Sequence, residues 1–261
     1  MELTDLQKAI AEAADDLATV APTVGGKGKA YEVWILFELA VRLMQAGYPV
    51  LAMDPADIEV GLFRVRGAPG GMPDADAEGD DNPSHLRVVG EDDILEIHVG
   101  LQIMGVSGST HEIDITVLSA MHGWQLRLQG GGPYDGPLEV GLELKAYDGK
   151  HKLNQVFPRA LVGVAVDVDP TWLFPILSLR THGGAVRRSY RVRRPLFGLA
   201  TSTTLYDNSR RLLEHHGALA ADALTPSQVG GAFDQIVVAM SAVLGPAPTA
   251  TASAGPPGVT V

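Results

Sequence analysis

Asp114, Glu143 and Lys145 are the residues of this chain whose types and spacing best fit chemistry. Each lies in a stretch that reads as a strand, where successive side chains point to opposite faces. In HEIDITVL (111–118), Ile113, Ile115 and Val117 share one face, and Glu112, Asp114 and Thr116 the other. In EVGLELKAY (139–147), Val140, Leu142, Leu144 and Ala146 are opposed by Glu139, Glu143 and Lys145, with Gly141 leaving space beside them. In ILEIHVGLQIMG (94–105), the apolar face from Leu95 to Ile103 is opposed by Glu96, His98 and Gln102. If these strands pair, their carboxylates converge. Close carboxylates repel each other and resist burial. A divalent cation relieves that repulsion, and magnesium favours one or two carboxylates, several waters and a phosphate oxygen. Lys145, on the face of Glu143, could orient or activate a water or balance charge in a transition state. The competing reading of Glu143 and Lys145 is an ion pair on an exposed strand, worth little. It leaves unexplained why Asp114 and Glu143 stand in strongly apolar strands.

The elements that must position these residues follow from periodicity. Helical spacing predicts a helix over 3–20 and a second, apolar on most sides, from Ala30 to Ala46, stopped by Gly47. Strands are predicted near Tyr48–Met53, Ile58–Arg66, Ile94–Met104, Glu112–Leu118, Glu139–Tyr147, Leu173–Leu179, Arg187–Arg193 and Phe197–Thr203. Helices are predicted at Leu153–Val166, Asp207–His216 and Pro226–Leu244. Residues 67–84 and 130–136 read as loops. This order predicts one α/β sandwich with a mixed sheet. The divisions expected are an N-terminal helix and hinge (1–27), an α/β core (28–204, with a surface loop at 67–84), C-terminal helices (205–244) and a disordered tail (245–261).

Composition narrows the chemistry. The 261 residues are 46% apolar and include no cysteine, which excludes disulfides, thiolate zinc sites and cysteine nucleophiles. No apolar run approaches the roughly 20 residues of a membrane helix, and no secretion signal is seen at the N-terminus, so a cytoplasmic location is expected. The formal charge of −11 argues against broad contact with phosphates. The charge is uneven, however. Acids crowd Asp74 to Glu96, and the stretch RRSYRVRR (187–194) is basic.

Asp114, a hairpin, and then Glu143-Leu144-Lys145 resemble the Asp…(Asp/Glu)-x-Lys signature of the PD-(D/E)XK nuclease superfamily. The resemblance spans roughly residues 28–180. It implies a restriction-endonuclease-like mixed β-sheet core flanked by helices, here with a C-terminal helical extension. It implies metal held by Asp114, Glu143, the Leu144 carbonyl and Glu32, with Glu38 competing as the inward carboxylate of that helix. It implies Lys145 and Gln155 as further catalytic residues. The implied cofactor is Mg2+, with Mn2+ able to stand in, and the implied substrate is nucleic acid, DNA ahead of RNA. Members of this kind act in bacterial defence, alone or with partner proteins. A non-catalytic binding module of the same fold is the alternative. The residue before Asp114 is Ile113 where the pattern often has Pro.

Other motifs carry less. His111-Glu112 lacks the second histidine of a zinc-protease helix, and no G-x-S-x-G elbow is present. GGKGK (25–29) lacks the phosphate-loop pattern and reads as a hinge whose Lys27 and Lys29 could touch a nucleic-acid backbone. RRSYRVRR fits a charged edge strand or a phosphate-contacting one equally. His215-His216 suits a helix C-terminus. The apolar stripe at 226–244 could support a homodimer or pack on its own core.

Overall fold

Helix α1 (Gly28–Gln45) is the spine of one face of the molecule. Its apolar residues, among them Trp34, Leu36, Leu39 and Leu43, are almost wholly buried, and the chain leaves it at Gly47 with a positive φ of 92°. The computed structural model describes residues 28–76, 82–147, 151–173, 176–180, 186–190, 193–225, 228 and 230–248. The helix expected at 3–20, the tail from 249 and the side chains of the basic stretch at 187–192 lie outside the described residues.

A seven-stranded mixed sheet crosses the molecule in the order β1-β2-β3-β4-β5-β8-β9. Its strands are β1 (Val50–Met53), β2 (His85–Val89), β3 (Ile94–Met104), β4 (Thr110–Ser119), β5 (Leu138–Lys145), β8 (Leu196–Thr201) and β9 (Leu219–Ala221). Pairing is antiparallel from β1 to β5 and parallel from β5 to β9. The remaining helices are α2 (Ala120–Leu128), α3 (Val156–Val168), α4 (Asp207–His215) and α5 (Gly230–Leu244). α1 and α5 cover one face, where Trp34 and Phe233 meet edge to face at 6.2 Å. α3, α4 and the short 3-10 turn Pro170–Trp172 cover the other, around Trp172 and Phe197. This is a mixed α/β protein, its seven-stranded mixed sheet flanked by helices. The C-terminal region is not an addendum, since β9 extends the sheet and the apolar stripe of α5 (Phe233, Ile236, Met240, Leu244) is buried in the chain's own core. No helix among the described residues is long and apolar enough to cross a membrane.

Several expected elements differ. Ile58–Arg66 is not a strand: it touches β1 through one bridge, Met53↔Glu59, and leaves Ile58 and Leu62 exposed. β1 pairs with β2, whose five residues amid polar neighbours give too few alternations to be read from sequence. α2 is likewise absent from the sequence-based expectation. The stretch 67–84 is not all surface loop, because Met72 is buried and bridged to Gly132. Among the described residues, β6 (Ile176–Arg180) and β7 (Val186–Tyr190) pair only with each other, apart from the main sheet.

The uninterrupted alternation expected along β3 and β4 also fails, at one place. The paired residues Val99 and Ile115 lie in the α1 core, whereas the next apolar pair, Leu101 and Ile113, lies in the opposite core. Both strands therefore exchange faces between these pairs, at Gly100 and Asp114. Gly100 has φ 61°, a conformation that glycine adopts without the penalty other residues carry. A face exchange of this kind is what an irregular residue does to a period-2 pattern.

Candidate active site

β4 and β5 stay in register only as far as Ile115↔Leu142. Beyond that pair the Leu144 N–H donates to the Asp114 side chain, Oδ2 accepting at 2.6 Å. A buried carboxylate thus replaces the backbone acceptor that the parted strand no longer supplies. Strand residues direct both backbone groups toward one edge, alternately left and right. The Leu144 carbonyl accordingly faces the same gap as its N–H. The Lys145 carbonyl faces β8, where it accepts from Thr201 Oγ1 at 2.7 Å and from the Ser202 N–H at 3.2 Å.

Lys145 Nζ stands 2.5 Å from Glu143 Oε1 and 3.7 Å from Asp114 Oδ2. It also lies 5.5 Å above the ring of Phe157 on α3. The three residues are partly to largely screened from solvent, Asp114 most of all at 7% exposure. Burial, and then the neighbouring Asp114 charge, push the Glu143 carboxyl above its ordinary pKa, against the pull of Lys145. Burial opposes the Lys145 charge, but Glu143 and then Asp114 outweigh it and hold the ammonium above its usual value.

A second acidic pair adjoins this one. Glu32 on α1 is bound by Lys29, whose Nζ lies 2.5 Å from Glu32 Oε2. Glu112 on β4 is exposed, and its pKa is raised by partial desolvation and by the charges of Asp114 and Glu32. The charges of Glu32 and Asp114 thus both bear on Glu112. Glu38 pairs with Arg42 of its own helix at 2.9 Å. Glu112 is not among the expected site residues; its only signal in the sequence is its place two residues before Asp114. Gln155, just ahead of α3, lines a cavity of about 450 Å3 with Lys152, Asn154 and Arg159. Glu143 lines a different cavity, of about 250 Å3, with Glu112, His111 and Phe157. In that wall His111 Nε2 lies 2.6 Å from Asp167 Oδ2. The structure thus brings Asp114, Glu143, Leu144 and Lys145 together, with Glu32 near by through Glu112 and Gln155 on a neighbouring cavity.

The donor set suits a hard cation. Two carboxylates and a backbone carbonyl are oxygen ligands, which Mg2+ and Mn2+ prefer. Burial and then repulsion from Asp114 raise the Glu143 pKa, and a cation would relieve that repulsion.

Glu96 and His98, expected to extend the polar face, are instead buried together with His85. Among the described residues these three form the one close histidine and carboxylate cluster. Arg127 occupies both Glu96 oxygens at 2.7 Å, and Asp57 is paired to Arg127 at 3.2 Å and to Arg87. Two carboxylates are matched by two guanidinium groups, so this cluster is already neutral. A divalent ion would add uncompensated buried charge. His85 stacks on His98 with ring centres 5.0 Å apart.

No known protein family matches the sequence, and no curated protein is significantly similar to it. Among solved structures, the chain is similar to a DNA modification-dependent restriction endonuclease, AspBHI, at 13% identity and a TM-score of 0.21. That superposition covers 91% of this chain and 41% of the other, so the chain spans less than half of that protein's length. A likeness this slight carries no argument about function, which must be read from the site itself.

Proposed function

We propose that this protein is a metal-dependent nuclease that hydrolyses phosphodiester bonds, with DNA the first substrate to test. The observation that carries the reading is that one ammonium, Lys145 Nζ, lies within 3.7 Å of both Asp114 and Glu143, at the point where β4 and β5 part. Asp114, Glu143 and the Leu144 carbonyl would hold Mg2+ or Mn2+, with Glu32 or Glu112 contributing from the side. The bound ion supplies charge neutralisation at the phosphate and a more acidic water. Lys145, held by Glu143, is placed to orient the attacking water and to balance the negative charge that develops on the phosphorus oxygens. Phe157 and the buried strands behind it limit how far that ammonium can wander.

A plasmid, a single-stranded DNA and an RNA, each incubated with Mg2+ and with chelator, test the proposal. Cleavage of at least one, dependent on metal and abolished in Asp114→Asn, is the expected result. Metal-independent cleavage, or equal cleavage by the variant, overturns it. A second reading also has an observation behind it. The acid pair already carries an ammonium and a backbone N–H, so it could serve as a closed structural cluster in a binding module. Calorimetric titration with Mn2+ separates the two: the nuclease binds the ion, and the closed cluster does not.

A further inference from the structure

We propose that the cavity in front of α3 holds one unpaired nucleotide of a single-stranded segment, beside the Glu143–Lys145 site. The inference rests on the nuclease reading and names the form of its substrate. The cavity measures about 450 Å3 and is lined by Lys152, Asn154, Gln155, Val156, Arg159 and Tyr206. That size falls within the range of small-molecule sites. Its lining includes two cations, two carboxamide side chains and a phenol ring, and no carboxylate. Among the described residues neither Lys152 nor Arg159 forms a salt bridge; Lys152 Nζ lies 5.4 Å over the ring of Tyr206, a weak exposed contact that a ligand phosphate and a stacked base could replace.

Three features select an unpaired nucleotide over a duplex. A duplex is tracked by many phosphate contacts spread along a surface, whereas these cations converge on one concavity. An aromatic ring of the lining is also partly offered to the solvent: Tyr206 is 41% exposed, with Lys152 at one side of its ring, and Tyr147, outside the lining, is 43% exposed. Stacked bases inside a duplex cannot use such rings, but unstacked bases can. Finally, the cavity adjoins the site through consecutive residues. Val156 lines the cavity, while Phe157, the next residue, faces Lys145 at 5.5 Å and Tyr147 at 6.3 Å. A strand whose scissile phosphate lies at Lys145 would place a flanking nucleotide at Lys152, Arg159 and Tyr206. The carboxamides of Asn154 and Gln155 stand at the same wall. Asn154 Oδ1 accepts the Val156 N–H at 2.9 Å, which leaves its amide group to donate.

The test is equilibrium binding with chelator present, so that no chemistry intervenes. Fluorescence anisotropy is read with a labelled oligothymidylate pentamer, with a blunt duplex of random sequence and with inorganic phosphate as competitor. The wild type is expected to bind the single strand at least tenfold more tightly than the duplex. Tyr206→Ala weakens single-strand binding about 5- to 100-fold, the range for one lost base stack, while Tyr206→Phe keeps it. Lys152→Gln with Arg159→Gln weakens it more than tenfold and lowers the salt slope by about 0.7 for each phosphate no longer neutralised. These side chains are exposed, and Tyr206 makes no side-chain bond at the start of α4, so the variants should melt like wild type. Equal affinity for duplex, or Tyr206→Ala and the double variant both within twofold of wild type, overturns the inference. If Asp114→Asn still ends cleavage in that case, the nuclease reading stands. If binding behaves as expected but metal-dependent cleavage is never seen, the cavity stands and the nuclease reading falls.

Discussion

The amide of Leu144 is bound to the carboxylate of Asp114 across a gap where the two strands carrying them have ceased to pair. One residue therefore has two duties. It closes a backbone hydrogen bond that the fold would otherwise leave open, and it offers its remaining lone pairs to the space beside Glu143.

Those duties can be separated by substitution. Asp114→Asn keeps an oxygen acceptor for the Leu144 N–H, so stability should stay within about 1 kcal/mol of wild type while metal-dependent cleavage is lost. Asp114→Ala leaves a buried N–H unpaired and should cost about 1–3 kcal/mol as well. Urea denaturation beside a cleavage assay reads both effects. Equal loss of stability in the two variants would show that the hydrogen bond is not the structural duty.

Metal binding should depend on pH through Glu143. Burial and Asp114 raise its pKa, so below that raised value an incoming cation must displace a proton. Affinity for Mn2+, measured by calorimetry, should rise as pH rises through that elevated value. In Asp114→Asn the repulsion is gone, and the remaining pH dependence should move to lower pH. Without metal the stability effect has the opposite sign. A folded-state pKa above the unfolded one contributes stability at acid pH, and this is lost as pH rises through the folded value.

Lys145→Ala should lower kcat by about 10²- to 10⁴-fold, the usual range for a positioned proton-transfer or charge-balancing group. Removing the ammonium leaves Glu143 and Asp114 facing each other unscreened, so the Glu143 pKa should climb further. The variant's cleavage should consequently need a higher pH. A kcat equal to wild type across the pH range would remove Lys145 from the mechanism.

Gly100→Ala probes the face exchange. With φ at 61° the new residue is strained by about 1–2 kcal/mol. Its methyl group would also meet Lys29 Nζ at 3.6 Å and Glu112 Oε1 at 3.9 Å. A lower melting temperature together with weakened metal binding is expected. A change in neither would mean that the exchange of faces is not held by this glycine.

The buried cluster beside α2 should govern acid stability. Burial pushes His98 down to about 4, against the pull of its hydrogen bond to Glu96 at 2.9 Å. The unfolded chain then binds more protons than the fold between the ordinary histidine value and about 4, so stability falls as pH drops through that window. His98→Gln keeps a donor for Glu96 and removes the titration, and its melting temperature should fall less between pH 7 and pH 5. Arg127→Met should cost about 3–5 kcal/mol, because it strands a buried carboxylate. Thermal melts across pH distinguish the two variants.

What the sequence determined by itself is the local pattern. Apolar alternation marked β3, β4 and β5, helical spacing marked α1 and α4, and the short interval from Glu143 to Lys145 put both side chains on one face of one strand. Such signals lie within a few residues of each other, and elementary geometry converts them into structure. Tertiary structure decided the rest. It reduced the expected strand at Ile58–Arg66 to a single bridge against β1 and made a strand of His85–Val89, which buries its apolar side against the core. It switched the faces of β3 and β4 at Gly100 and Asp114, which no period-2 reading registers. It turned Glu96 and His98 from a surface row into a buried cluster by bringing Arg127 and His85 to them from elsewhere in the chain. Long-range pairing and charge compensation depend on which distant segments meet, and that is settled only when the whole core closes.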